Sequence, residues 1–205
     1  MNRISRGTLG ASLTLALSAA ATTPTFAADP TCKQLIAATQ ALRTMPFHLY
    51  LTETQSFTNP VLAKAAGQAG MGGTRQSEEI STGKDIYVLT RGQWVDMQTR
   101  FADMEQDKDS DPDTRKALEE SQCKALPDET MYGQPARVLL RNTPALGSEM
   151  KLWISKATNL PIRMDMTHDQ RAMKMLTVSR YEYRGVQAPA HAITMKEMVQ
   201  SRGGH

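Results

Sequence analysis

The clearest pattern in the chain is a change from helical spacing to alternation of apolar and polar residues near Pro46. Before that point, apolar residues recur at helical spacing from Pro30 to Thr44, and proline favours the first turn of a helix. From Phe47 to Phe57 the sequence reads FHLYLTETQSF, in which apolar side chains first occupy every second position. The pattern predicts a helix over 30–44 and a half-buried strand over 47–57.

Short alternating segments continue through the rest of the chain and are separated by turn residues such as glycine and asparagine. They cover residues 76–81, 85–90, 93–99, 130–132, 136–142, 149–155, 160–168 and 173–184, with a last candidate strand in 189–199. Most of the gaps are too short to hold a helix, so the spacing favours an antiparallel meander over parallel βαβ units. The predicted fold class is mostly β (α+β).

Two segments interrupt the alternation. Residues 59–75 are rich in alanine and glycine, and we expect a long excursion between strands with one helical turn at 61–66. Residues 102–122 are acidic at their start, and Pro112 followed by 115–122 predicts a second helix.

The N-terminus has the pattern of a cleavable export signal. Arg3 and Arg6 precede a short apolar stretch, and small residues before Ala28 fit a cleavage site. The apolar run is shorter than the roughly 20 residues that a spanning helix needs. We therefore expect a signal peptide over 1–28, a single β domain over 29–205, a periplasmic location and no permanent membrane anchor. Loss of two arginines lowers the formal net charge from +3 to +1, which gives no reason to expect a nucleic-acid partner.

The only two cysteines, Cys32 and Cys123, both remain after such processing. In an oxidising compartment an even number of cysteines favours a structural disulfide. A redox-active pair is the alternative, but the two are far apart and form no Cys-x-x-Cys motif. The expected bridge would tie the first helix to the rest of the domain.

Residues typical of catalysis or of metal binding do not cluster along the chain. The four histidines are scattered, and no nucleophile–base or zinc motif is present. Asp107 to Asp113 alternates acids as a calcium loop does, but Pro112 stands where a glycine is needed and Leu118 where a glutamate ligand is needed. The sequence predicts a protein with no catalytic residues, no metal and no cofactor.

Methionine is frequent on two neighbouring candidate strands. Alternation places Ile162, Met164 and Met166 on one face, and Met173 and Met175 on one face of the next strand. Flexible thioethers can line a cavity that accepts varied apolar ligands, or they can fill a core. A role in binding copper(I) is conceivable, but no tight Met-x-Met-x-Met run supports it.

Three segments, taken in order, resemble periplasmic lipoprotein-carrier proteins of the LolA/LolB-like superfamily. They are GKDIYVLTRGQW (83–94), MYGQPARV (131–138) and KLWISKATNLPIRMDM (151–166). The resemblance implies a strongly curved antiparallel half-barrel, covered by two or three helices, around a hydrophobic cavity for lipid acyl chains. The cysteines, the alanine- and glycine-rich excursion and the methionines depart from the pattern.

The function expected from the sequence is the non-catalytic holding of a hydrophobic small molecule, a lipid or the acyl chains of a lipoprotein in a cavity lined by the sheet. An alternative is an envelope regulatory module that binds another envelope protein with the same sheet and has no cavity. Met71, in the excursion, is the candidate lid. The candidate wall residues are Leu49, Trp94, Trp153, Ile162, Met164, Met166 and Met175.

Overall fold

The computed structural model describes residues 29–69, 72–98, 116–117, 119–170 and 172–200. The predicted signal peptide, Met71 and most of the segment 102–122 lie outside these residues. Within them, residues 116–117 and 119, in the predicted second helix, are helical. The helices with defined bounds are α1 (Pro30–Ala41), α2 (Pro60–Gln68) and α3 (Met195–Gln200), with a 3-10 turn at Pro144–Leu146. The strands are β1 (Phe47–Phe57), β2 (Gly73–Ser81), β3 (Ile86–Thr90), β4 (Gln93–Asp96), β5 (Gln122–Met131), β6 (Gln134–Thr143), β7 (Ser148–Ser155), β8 (Pro161–Gln170), β9 (Met173–Glu182) and β10 (Ile193–Thr194).

All ten of these strands belong to one open sheet in the order β10-β4-β3-β2-β1-β9-β8-β7-β6-β5. Sequential hairpins build each half, and β1 pairs with both β2 and β9 at the centre. The predicted fold class is therefore confirmed: an antiparallel sheet with a few helices. One pair departs from the prediction, because β10 lies parallel to β4.

Helix α1 begins where Asp29 caps it, since its Oδ1 accepts from the backbone amides of Thr31 at 2.7 Å and Cys32 at 3.3 Å. It packs Leu35 and Ala38 against one face of the sheet, which we call the helix face. These two residues form an apolar cluster with the sheet residues Leu139, Met150, Leu152 and Ile154, and the half-buried Met164 and Met166 pack against it. The helix face therefore contains the main apolar core under α1.

The predicted disulfide is confirmed. Cys32 of α1 and Cys123 of β5 are bonded, with their Cα atoms 5.3 Å apart. The bridge fastens α1 to the last strand of the sheet, so the N-terminal helix and the far edge of the sheet are held together covalently.

The opposite face, which we call the hairpin face, is enclosed by a strong curl of the sheet. Tyr132, in the β5–β6 turn, has its ring centroid 5.7 Å from Cζ of Arg180 in β9. Three strands separate β5 from β9, and in a flat sheet that spacing would put them roughly 19 Å apart. The β5–β6 hairpin therefore bends back over β9, and the register shift between Leu126 and Glu129 in β5 is a place where such bending arises.

Several element boundaries differ from the sequence prediction for local reasons. Helix α2 is longer than the one predicted turn because Asn59 caps it, accepting from Val61 N at 2.9 Å, and Pro60 fits its first position. Strand β5 is longer than the predicted 130–132 because its irregular stretch around Pro127 lies at the edge of the sheet, where proline is tolerated. The tail forms only a short strand and then helix α3.

Candidate functional site

A cavity of about 620 Å³ opens at one end of the curled sheet. It lies between the β5–β6 turn, the β7–β8 turn, the start of β8 and the end of β9. Its lining residues are Tyr132, Gln134, Thr158, Ile162, Arg180, Tyr181, Glu182, Tyr183 and Arg184. Three tyrosines and one isoleucine thus share this wall with three charged and two other polar residues.

Tyr132 lies over the cavity from an unusual backbone position. It and Gly133 form a two-residue hairpin turn, with φ of 50° at Tyr132 and 77° at Gly133. Both positions need positive φ, and asparagine followed by glycine is the pair that fits such a turn best. Tyrosine at the first of these positions adopts a backbone conformation that is unfavourable for it. Because Tyr132 is 51% exposed, burial of its ring compensates for little of that cost. A residue that breaks a local rule in this way is often found at a functional site.

Arg180 is the cation at the centre of this end of the sheet. Its Cζ lies 4.4 Å from the ring centroid of Tyr50, and its Nη2 donates to Oε1 of Glu182 at 2.6 Å. Its Nε is buried and has no hydrogen-bond partner within the part of the chain that the structure describes. The guanidinium therefore contacts the aromatic rings on both sides and has a donor left over.

The inner wall is formed by two tyrosines that stay neutral at physiological pH. Tyr181 packs edge-on to Phe47, with ring centroids 5.6 Å apart, and burial raises the pKa of Tyr181 to about 12, with the charge of Glu79 adding to it. Burial also raises the pKa of Tyr183, whose hydroxyl donates to the carbonyl of Pro161 at 2.5 Å. Both tyrosines pack in the cluster around Phe47. Tyr181 is only 7% exposed and offers the cavity little ring surface, whereas Tyr183 is half-buried and has its hydroxyl held by Pro161.

A second, smaller cavity of about 280 Å³ adjoins the first across Tyr132 and Arg180. It is lined in addition by residues of β1 and β2, among them Tyr50 and Glu78. His48 connects these groups, since its Nε2 lies 3.0 Å from Oε2 of Glu78 and its ring stacks on Tyr50 with centroids 4.3 Å apart. This side of the site is polar and aromatic.

The residues predicted to line one cavity lie on two faces of the sheet. Leu49, Met164, Met166 and Met175 are on the helix face, while Trp94, Trp153 and Ile162 are on the hairpin face. Of these seven, Ile162 alone lines the larger cavity.

The two tryptophans of the hairpin face have different surroundings. Trp153 is buried with Ala136 and Val138 and donates from Nε1 to Glu129 at 2.7 Å. Trp94 meets the ring of His48 edge-on at 6.0 Å.

The prediction that Ile162 shares a face with Met164 and Met166 was wrong. The pairing of β7 with β8 passes from Trp153 opposite Arg163 to Ile154 opposite Pro161, which leaves Ile162 unpaired in a bulge. Ile162 therefore packs against Trp153 on the hairpin face. A bulge reverses the alternation on which the prediction depended.

Sequence reasoning missed Tyr132, Arg180, Tyr181 and Tyr183. The segment YEYR at 181–184 and the pair Tyr132-Gly133 were visible in the sequence. Of the four, Tyr132 could have been found from the sequence, because it stands at a turn position that favours asparagine.

In the described ranges, no three His, Cys, Asp or Glu side chains lie close enough together to hold a metal ion. Within the same ranges, none of the helices has the length and apolar character needed to cross a membrane.

No family model and no curated protein matches the chain. Several solved structures do match, among them LprF from Mycobacterium bovis, with 13% identity and a TM-score of 0.39 over 78% of this chain and 96% of that one. A putative outer membrane lipoprotein-sorting protein domain from Vibrio parahaemolyticus matches with 12% identity and a TM-score of 0.24 over 75% and 93%.

A third match is the MucA/MucB complex of Pseudomonas aeruginosa, with 13% identity and a TM-score of 0.37 over 79% of this chain and 62% of the matched chain. At these TM-scores and identities the matches carry no argument about what this chain is or what it binds.

Proposed function

We propose that the protein is a non-catalytic binding protein of the periplasm that holds a hydrophobic or lipidated ligand in the 620 Å³ cavity. The observation that carries the proposal is the lining of this cavity, in which Tyr132, Ile162 and the neutral Tyr183 lie beside three charged side chains. Ligand pockets in proteins are commonly about 300–1,000 Å³ and mostly apolar, with a few polar groups that fix orientation. The cavity fits that description.

Binding would depend on burial of apolar surface. Each methylene group that leaves water contributes about 0.8 kcal/mol, so part of an acyl chain placed against Tyr132, Ile162 and Tyr183 would be bound without any reacting group. The charged side chains at the rim, Arg180 and Arg184, would meet the polar end of such a ligand.

The compartment is part of the proposal. A disulfide between Cys32 and Cys123 persists in an oxidising environment and is rare in a reducing one. Together with the export signal expected over residues 1–28, it supports placement in the periplasm.

The experiment is a titration of the mature protein with a dansyl-labelled undecanoic acid, read by dansyl emission under direct excitation. Thr158, in the β7–β8 turn, lines the cavity, while its exposed neighbour Ala157 does not. We expect Thr158→Trp to fill the opening and to weaken binding at least tenfold, whereas Ala157→Trp should bind the probe as the wild type does.

Two results would count against the proposal. One is a wild-type protein that takes up no probe at any concentration below the probe's own aggregation. The other is equal loss of binding in Thr158→Trp and Ala157→Trp, which would place the probe outside the cavity.

A second function, protein interaction within the envelope, is favoured by one surface feature. Val61 and Leu62 of α2 are 74% and 45% exposed and lie side by side near the start of the helix. Neighbouring exposed apolar residues can mark a docking site. If probe binding fails and substitution of both residues by serine abolishes capture of an envelope protein, this second function replaces the first.

A further inference from the structure

A cluster of soft ligands lies on the helix face, away from the cavity of the proposed function. The Nε2 atom of His168 lies 3.2 Å from the Sδ atom of Met166, two residues earlier in β8. Both side chains are half-buried, so they can be reached from solvent.

The sheet register adds a second thioether to this pair. His168 stands directly opposite Met175 of β9, and side chains in such pairs have their Cβ atoms about 4.5–5.5 Å apart on the same face. The Sδ atom of Met175 is within 3.9 Å of the side-chain amide of Gln55 in β1, the strand on the other side of β9 from β8. To join Met166 and His168, the flexible methionine side chain rotates towards β8. Met166, His168 and Met175 are thus gathered by two neighbouring strands.

The backbone around His168 is fixed by a neighbouring loop. The amide of Asp169 donates to the carbonyl of Gly147 at 2.8 Å. A side chain at position 147 would collide with the backbone of Asp169, and the residue has a φ of 57°, so glycine is required there. The imidazole is therefore presented from a well-defined strand end rather than from a free hairpin tip.

We propose that Met166, His168 and Met175 bind a monovalent copper ion, with Met166 Sδ, His168 Nε2 and Met175 Sδ as ligands. Thioether sulfur is a soft ligand that selects copper(I), and imidazole suits copper as well. Metal–nitrogen and metal–sulfur bonds of about 2.0 and 2.3 Å place two ligand atoms of one tetrahedral ion about 3.5 Å apart. The observed nitrogen–sulfur separation of 3.2 Å is close to that value.

The site is independent of the proposed ligand cavity. Met166, His168 and Met175 do not line that cavity, so the two sites share no residue. Loss of copper binding would leave the lipid-binding proposal intact, and the reverse also holds.

The experiment is an anaerobic titration of the mature protein into the copper(I)–bicinchoninate complex, with ascorbate as reductant, followed by loss of the complex's visible absorbance. We expect one equivalent of copper to move to the protein. The double substitution Met166→Leu with Met175→Leu should lower the copper affinity by more than about tenfold. Changing only the groups that hydrogen-bond to metal ligands typically lowers metal affinity about 10–100-fold, and loss of two ligands should cost at least as much. Leucine preserves side-chain volume, so the sheet should fold normally.

The matched control is Met164→Leu, which removes a thioether from the same strand and face. Met164 packs against the cores around Leu35 and Phe47 and should have no effect on copper affinity. Labelling the methionine methyl groups with ¹³C adds a local measurement: copper(I) should shift the resonances of Met166 and Met175, and zinc(II) should not.

Three outcomes would overturn the proposal. The protein could fail to take copper(I) from bicinchoninate, the double variant could bind as tightly as the wild type, or the shifted methyl resonances could belong to other methionines. In the first case the contact between His168 and Met166 is a hydrogen bond to sulfur and no more.

Discussion

The ring of Tyr132, in the β5–β6 turn, lies 5.7 Å from the guanidinium carbon of Arg180 in β9, although two strands, β7 and β8, lie between β6 and β9 in the sheet. This contact closes the end of the curled sheet and forms the ring-lined wall shared by two adjoining cavities. The binding function proposed here depends on that closure.

Replacing Tyr132 with asparagine should separate stability from binding. Asn-Gly suits the two-residue turn, because asparagine tolerates positive φ better than tyrosine does. We expect this difference to stabilise the folded state by roughly 1 kcal/mol. Loss of an exposed cation–π contact to Arg180 offsets about 0.5 kcal/mol of this gain. We expect Tyr132→Asn to unfold at a slightly higher urea concentration yet to bind the dansyl probe several-fold more weakly.

The β3–β4 turn supplies the control for this variant. Arg91 and Gly92 have φ of 54° and 80° in the same kind of turn, far from the cavity lining. Arg91→Asn should give a similar gain in stability with no change in probe binding. If both variants lose binding equally, Tyr132 has no specific part in the site.

Removal of the disulfide should be strongly destabilising. Cys32 and Cys123 are 91 residues apart in the sequence, and closing a loop of that length contributes about 4.6 kcal/mol in the chain-entropy model. The variant with both cysteines changed to alanine should lose most of this free energy of unfolding in urea. Reduction of the wild type should give the same unfolding curve, and a loss below about 1 kcal/mol would show that α1 is held by packing alone.

Glu79 should make the protein less stable as the pH rises. It stands between Leu49 and Val88 in the register, and burial raises the pKa of its carboxyl above the value it has in the unfolded chain. In the pH range between those two values the folded state binds more protons than the unfolded state, so stability is full below the unfolded pKa and falls as the pH rises through the folded one.

The test is Glu79→Gln, which is neutral at every pH. We expect its melting temperature to exceed that of the wild type at pH 8 and to equal it near pH 3, where the carboxyl is protonated in both states. A constant difference between the two proteins at all pH values would show that the charge of Glu79 is not responsible.

The parts of the fold that were predicted from the sequence are those set by local patterns. The alternation in 47–57 gives β1 with the predicted bounds, and Pro30 begins α1 as predicted, although the helix ends at Ala41 rather than at residue 44. The disulfide followed from the number of cysteines and the export signal.

The parts that were missed depend on contacts between distant strands. Ile162 changes face because of a bulge opposite Trp153, and alternation alone cannot show a bulge. Tyr132 reaches Arg180 only because the sheet curls, and His168 meets Met175 only through the register of β8 and β9. Neither the curl nor the register is visible in a single segment.

The most direct test of the central claim is native mass spectrometry of the mature protein purified from a periplasmic fraction, with lipid extraction of the same sample. Binding in the cavity predicts bound acyl-chain species that are released on denaturation and are much reduced in Thr158→Trp but not in Ala157→Trp. A wild-type protein that carries no such species, and that gains none when fatty acids or lipids are supplied during purification, would contradict the claim.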